Sequence, residues 1–153
     1  MSVKRTLNIY HTQATLLKAM ANPIRLQILR LLGDDGTYVC HLALALRRRQ
    51  PYISQQLSVL RRAGLVTDER QGLNILYRLS DGRVREFLDS LALLIPGQPE
   101  ATTPLLSPEP LAGCLCPHCA RNFGLAAAQV CRLPEPIPAN GPPQPVSLVS
   151  EST

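Results

Sequence analysis

Gln50-Pro51-Tyr52-Ile53-Ser54-Gln55-Gln56-Leu57-Ser58-Val59-Leu60-Arg61-Arg62-Ala63-Gly64-Leu65-Val66 is the stretch whose reading decides the fold. Proline near its start suits a first helical turn, because the N–H that proline lacks would have no intrahelical partner there. Ile53, Leu57 and Leu60 recur at i, i+4 and i+7, which defines one apolar stripe, and Gly64 closes the run. Ser54, Gln55, Ser58 and Arg62 fall on the opposite side, flanked by Tyr52 and Arg61. No Asp or Glu interrupts residues 50–63. Amides and hydroxyls can bond base edges, and arginine can reach phosphate or guanine, so this outer face has the chemistry of a DNA-reading helix.

Reading backwards, Arg47-Arg48-Arg49 occupies the turn before this helix, placed for a phosphate backbone. A third helix carries Leu42, Ala45 and Leu46, preceded by a short extended piece at Tyr38 and Val39. Asn22-Pro23 opens a second helix, with Asn as N-cap and Pro at the first helical position. Its Ile24, Ile28, Leu31 and Leu32 keep helical spacing until Gly33-Asp34-Asp35-Gly36 ends it. Residues 7–20, with Leu7, Leu16, Leu17 and Met20, predict a first helix.

Reading forwards, the period changes from helical to alternating. Residues 66–70 and 73–79 are short β-prone runs joined by Gln71-Gly72, the pattern of a hairpin. Asp81 then caps a last helix bearing an apolar stripe of Val84, Phe87, Leu88, Leu91 and Leu94. The order is α-α-α-α-β-β-α, a mainly α winged helix-turn-helix. Its expected DNA contacts are Arg48, Arg49, Gln50, Tyr52, Ser54, Gln55, Ser58, Arg61 and Arg62, with Arg70, Asn74 and Arg78 from the wing.

Composition sets the boundaries. Twelve of the 14 prolines lie from Pro96 onward, so 1–95 is expected to be the DNA-binding and dimerisation domain. Residues 96–153 are expected to be a flexible, mostly disordered Pro-rich tail that buries too little to offset its ordering entropy, save for a local knot around its cysteines. Aromatic residues are only 4% of the chain and Trp is absent, so the core must be aliphatic. Residues 1–95 hold 14 Lys/Arg against 7 Asp/Glu, whereas 96–153 hold 2 against 4, which directs an anionic partner to the first part. No long apolar run suggests a membrane span, and no apolar segment follows Lys4 and Arg5 as a secretory signal would require, so a cytoplasmic protein is expected. Neither a Ser/His/Asp arrangement nor a phosphate loop nor paired carboxylates suggests an enzyme.

Three segments carry a family resemblance. Leu17-Lys18-Ala19-Met20-Ala21-Asn22-Pro23-Ile24-Arg25-Leu26-Gln27-Ile28-Leu29-Arg30-Leu31-Leu32, the 50–66 stretch, and Arg70-Gln71-Gly72 with Tyr77-Arg78-Leu79 together resemble the ArsR/SmtB metalloregulators over roughly residues 7–95. The resemblance implies a homodimer built from the first and last helices that binds a palindromic double-stranded DNA operator and represses until a signal arrives. An apolar stripe on the last helix, which a lone unit would leave partly exposed, agrees with it. One departure is local: where the family usually has a Gly and an apolar residue before the recognition helix, this chain has Arg47 and Arg48.

The expected sensor is made of thiols. The family's Cys-Val-Cys site is broken here, because Tyr38 stands in place of the first Cys; Cys40 remains. The family's carboxylate/His site on the last helix is also unsupported, since Asp81 is followed by Arg83, Leu94 and Gly97 at the other ligand positions. Cys114-x-Cys116-Pro117-His118-Cys119 and Cys131 offer soft ligands suited to zinc, cadmium, lead or arsenite. Candidate ligands are therefore a subset of Cys40, Cys114, Cys116, Cys119 and Cys131, with His118 as a further candidate. Two designs follow: the tail closes its own site, or its thiols fold back onto Cys40 beside the helix-turn-helix. Thiol redox or sulfur sensing by the same repressor is an alternative, as are a thiol-redox protein using Cys116/Cys119 and a constitutive architectural DNA binder. His11, His41 and His118 are scattered in the sequence.

Overall fold

A computed structural model describes residues 3–33, 35–96, 111, 113–114 and 116–122. Its elements are α1 (Val3–Met20), α2 (Pro23–Leu31), β1 (Thr37–Tyr38), α3 (Val39–Ala45), α4 (Gln50–Arg62), β2 (Val66–Gln71), β3 (Asn74–Leu79), α5 (Arg83–Leu93) and α6 (Pro117–Asn122). This is the expected winged helix-turn-helix, with one strand added.

Each boundary has a local cause. Asn22 caps α2 with its side-chain oxygen, which accepts from the backbone N–H of Ile24 at 3.0 Å and of Arg25 at 3.3 Å. At α5 the cap position falls on Gly82 rather than on Asp81, whose side chain, one residue earlier, accepts from the N–H of Arg83 at 2.8 Å. Helices α3 and α4 both end in a Schellman turn. In α4 the N–H of Gly64 bonds Arg61 and that of Leu65 bonds Leu60, with Gly64 at φ +75°. In α3 the N–H of Arg47 bonds Leu44 and that of Arg48 bonds Ala43, with Arg47 at φ +49°. The departure noted at Arg47 thus leaves the turn's geometry intact and puts a side chain where the left-handed backbone favours glycine.

Strands differ from expectation at two points. Tyr38 is extended as predicted, but with Thr37 it joins the hairpin as a third strand (order β1-β3-β2), pairing Thr37 with Tyr77 and Tyr38 with Leu76. Gly36 permits this close approach: a Cβ there would lie 2.7 Å from the Tyr77 carbonyl oxygen. Val39 is helical rather than extended. The hairpin register closes on Gln71 opposite Asn74, so its two-residue loop is Gly72-Leu73, one residue later than predicted.

The core is aliphatic. Ile28, Leu29 and Leu31 of α2, Leu42 of α3 and Ile53, Leu57 and Leu60 of α4 are almost fully buried, with Leu88 of α5 packed against them. Arg30 ties α2 to α5 through an ion pair with Asp89 and a 2.6 Å bond to the Leu88 carbonyl. Outside this core, Ile9, Tyr10 and Leu17 of α1 and Phe87, Leu93, Leu94 and Ile95 at the end of the domain remain exposed. A groove of about 680 Å³ runs between α1 and α5. No helix among the described residues is long and apolar enough to cross a membrane.

Candidate nucleic-acid interface and thiol cluster

Packing Ile53, Leu57 and Leu60 inward turns Ser54, Gln55 and Arg62 fully outward and leaves Gln50 and Ser58 half-exposed. Tyr52 is exposed beside them, and Arg49 and half-buried Arg48 lie at the helix start. The wing meets this face: Gln50 and Ser54 share a cleft of about 200 Å³ with Asn74 and Ile75. Other predicted contacts are engaged within the protein. Arg61 donates to both carboxylate oxygens of Asp68 at 3.1 and 3.2 Å, and Arg70 to the Gly72 carbonyl at 3.2 Å. Arg78 lies 3.9 Å from Glu69 on the neighbouring strand. These pairs are exposed and weak, so the side chains can exchange them for phosphate at little cost.

A second site lies under α3. Helix α6 begins at Pro117, a first-turn position at which proline is tolerated, and it brings the tail cysteines against α3 and the sheet. This is the local knot expected in the tail. Cys114, Cys116 and Cys119 are buried free thiols, packed with Tyr38, Leu76 and Leu111. His41, on the first turn of α3, completes the group: one ring nitrogen and the three sulfurs lie within 4.8 Å of one another. The Nδ1 of His41 and the Cys119 sulfur share a hydrogen bond at 3.3 Å, while Nε2 is buried with no hydrogen-bond partner among the described residues.

Backbone amides support the sulfurs. The Leu111 N–H donates to Cys119 at 3.3 Å and the Cys119 N–H to Cys116 at 3.4 Å. The Cys114 thiol, bonding to Cys116, holds that sulfur as the thiolate and brings its pKa down to about 4, with His41 and the Cys119 amide adding to the effect. The same bond, together with burial, pushes Cys114 up, and burial pushes Cys119 up. Three sulfurs and an imidazole with no oxygen donor suit a soft or borderline cation and not magnesium or calcium.

The tail does fold back onto the start of α3, and Cys40 is buried in the same cluster as its three thiols. Cys40 is disulfide-bonded, however, so the donor that α3 adds to the group is His41 and not Cys40. His118 is half-buried, its ring edge-on to His41 with centroids 6.3 Å apart. Cys131 lies outside the described residues. His41 was missed because its ligand partners follow it by more than seventy positions, a distance over which no local spacing can signal; its neighbour Cys40 was the only hint.

The pattern described as bacterial regulatory protein, arsR family, matches residues 22–68. An uncharacterised HTH-type transcriptional regulator of Methanocaldococcus jannaschii is 38% identical over 80 residues, which cover 52% of this chain and 90% of that one. The chain belongs to the ArsR family. This ArsR-family chain is also 42% identical over 78 residues to the HTH-type transcriptional repressor SmtB of Mycobacterium tuberculosis, a match covering 50% of the chain and 58% of that repressor. Its fold overlays the homodimeric winged helix-turn-helix DNA-binding domain Mb0332 of Mycobacterium bovis with a TM-score of 0.57 at 29% identity, over 61% of this chain and 87% of that domain.

Proposed function

We propose that this ArsR-family protein is a transcriptional repressor that binds an operator as a homodimer and is released from it by a thiophilic metal or metalloid. The observation that carries the reading is the packing of three free tail thiols beneath α3, the helix that supports the recognition helix α4. A ligand can alter operator affinity only by binding the free and DNA-bound conformations unequally. A site joined to α3 has a route to that difference; a site confined to the tail has none. Exposed apolar side chains on α1 and α5, with the groove between them, support a dimer built from the first and last helices.

Contacts to DNA are assigned to Arg48, Arg49, Gln50, Tyr52, Ser54, Gln55, Ser58, Arg61, Arg62, Arg70, Asn74 and Arg78. We further assign residues 1–95 to DNA binding and dimerisation, and the tail to sensing. The test is operator binding by reduced protein across a salt series, with and without zinc, cadmium or arsenite. Binding should fall steeply with ionic strength, because phosphate contacts release bound cations. At fixed salt, one of the ions should release the DNA. Salt-insensitive binding, or release by none of them, would overturn the reading.

A second reading keeps the repressor and makes the signal oxidative. It is favoured by the Cys116 thiolate, bonded by the Cys119 amide two sequence positions beyond Pro117 in a Cys-x-x-Cys pair. Oxidant-triggered release with a mass loss of two hydrogens, unaffected by metals, would select it.

A further inference from the structure

We propose that His41, Cys114, Cys116 and Cys119 form a closed four-coordinate site for a divalent cation of the zinc and cadmium class, which pins the tail segment to the helix-turn-helix. The assignment deepens the metal-released repressor and rests on its premise that the tail thiols are the sensor. It names the ion class and makes a histidine of the DNA-binding unit the ligand that joins the two parts.

Geometry supports the assignment first. Ligands at about 2.3 Å (sulfur) and 2.0–2.1 Å (nitrogen) from a tetrahedral zinc lie roughly 4 Å or less apart, and these four donors already lie within 4.8 Å of one another, so a contraction of less than about 1 Å would complete the site. Cysteine and histidine are often buried as ordinary core residues, which gives the competing explanation. One detail counts against it. The sulfurs converge on one another and on the imidazole, whose Nδ1 lies 3.3 Å from the Cys119 sulfur, rather than dispersing among aliphatic neighbours.

Donor chemistry then selects the ion. Three thiolates and a neutral imidazole around a divalent cation leave one net negative charge, the balance of a structural Cys₃His zinc centre. Arsenite takes three thiolates and keeps a lone pair, so it has no use for a fourth donor in so tight a group. A small cavity of about 100 Å³, bounded by Thr37, Tyr38, His41, Cys116 and His118, borders the group, which leaves room for the contraction.

The test uses the reduced full chain under anaerobic conditions, with cobalt(II) as the spectroscopic probe and zinc as competitor. One cobalt per chain should bind with the visible bands of tetrahedral coordination and a near-ultraviolet thiolate charge-transfer band, and zinc should displace it. His41→Ala should weaken binding by more than about a hundredfold, since loss of a mere outer-shell partner costs 10–100-fold. His41→Cys should keep the tetrahedral bands with stronger charge transfer. Cys40→Ser should bind cobalt as the parent does. Metal-free circular dichroism and operator affinity of the His41 variants check that the fold survives. Absence of tetrahedral cobalt in the parent, unchanged binding in His41→Ala or lost binding in Cys40→Ser would each overturn the site. Operator affinity with and without zinc separates the two proposals. Tetrahedral binding with unchanged operator affinity would uphold the site and overturn metal release. Metal release that persists in His41→Ala with unchanged metal affinity would do the reverse.

Discussion

Replacing Arg47 by glycine should stabilise the protein, and replacing it by alanine should not. Arg47 occupies the left-handed position of the Schellman turn that ends α3, at φ +49°, and its side chain is exposed. An L-residue held there costs roughly 1–2 kcal/mol relative to glycine. Glycine returns about 0.4–1 kcal/mol of that by making the unfolded chain more flexible. The difference leaves Arg47→Gly about 0.5–1 kcal/mol more stable than Arg47→Ala, which keeps the strained backbone while removing the same side chain. In an ordinary helix or strand interior the order is the opposite, with glycine about 0.5–1 kcal/mol worse than alanine. The sign therefore reports the backbone and nothing else. Urea unfolding of parent, Gly and Ala forms, reduced and at one protein concentration, measures it; concentration must be fixed because dimerisation adds to apparent stability. Midpoints should rank Gly above Ala with equal slopes. A glycine form less stable than the alanine form would refute the strained-turn argument.

Asn22→Ala should cost about 1 kcal/mol in the same urea experiment, since it removes the acceptor of the Ile24 and Arg25 amides, and Asn22→Ser should lose only a few tenths. Arg62→Ala should weaken operator binding to a similar degree on all sequences and lower the slope of log affinity against log salt by about 1, as expected for one lost phosphate contact. Asp81 gives an acid-limb prediction. Hydrogen bonds from the Arg83 side chain and backbone hold its carboxyl at about 2, below the usual carboxylate range. A depressed native value stabilises the fold fully above about pH 4, and that stability is lost as pH falls towards 2. Asp81→Asn should therefore show a shallower decline in urea midpoint between pH 4 and 2 than the parent.

The helices of the winged domain were legible because each is fixed by neighbours in sequence: Asn22-Pro23 starts α2, and Ile53, Leu57 and Leu60 aim α4. Strand β1 was only half legible. Two residues carry no periodicity, and what makes Thr37 and Tyr38 a strand is the free edge of β3, a partner nearly forty positions away. Which side of α4 faces outward could be read for the same local reason as the helix itself. At the thiol cluster the residue types and the fold-back were legible, whereas the ligand on α3 was not. Cys40 and His41 are adjacent on one helix and both pack against the tail cysteines, and only the tertiary structure decides which of them offers a free donor to the three thiols.

The cluster is assembled from unequal parts: three sulfurs from one six-residue stretch, and one imidazole 78 positions from the last of them. The short stretch is a chelator by itself, so capture of an ion there requires little chain ordering. Engaging His41 closes a loop that encloses α4, the wing and α5. The entropy of that closure grows only slowly with loop length, so the long span is no great obstacle once the rest of the domain is folded. In the proposed site the first three ligands would set how fast an ion is captured, and the fourth would set whether the domain feels it. Variants of the tail should change the rate of uptake, and His41→Ala should leave that rate near the parent's while speeding loss of the ion.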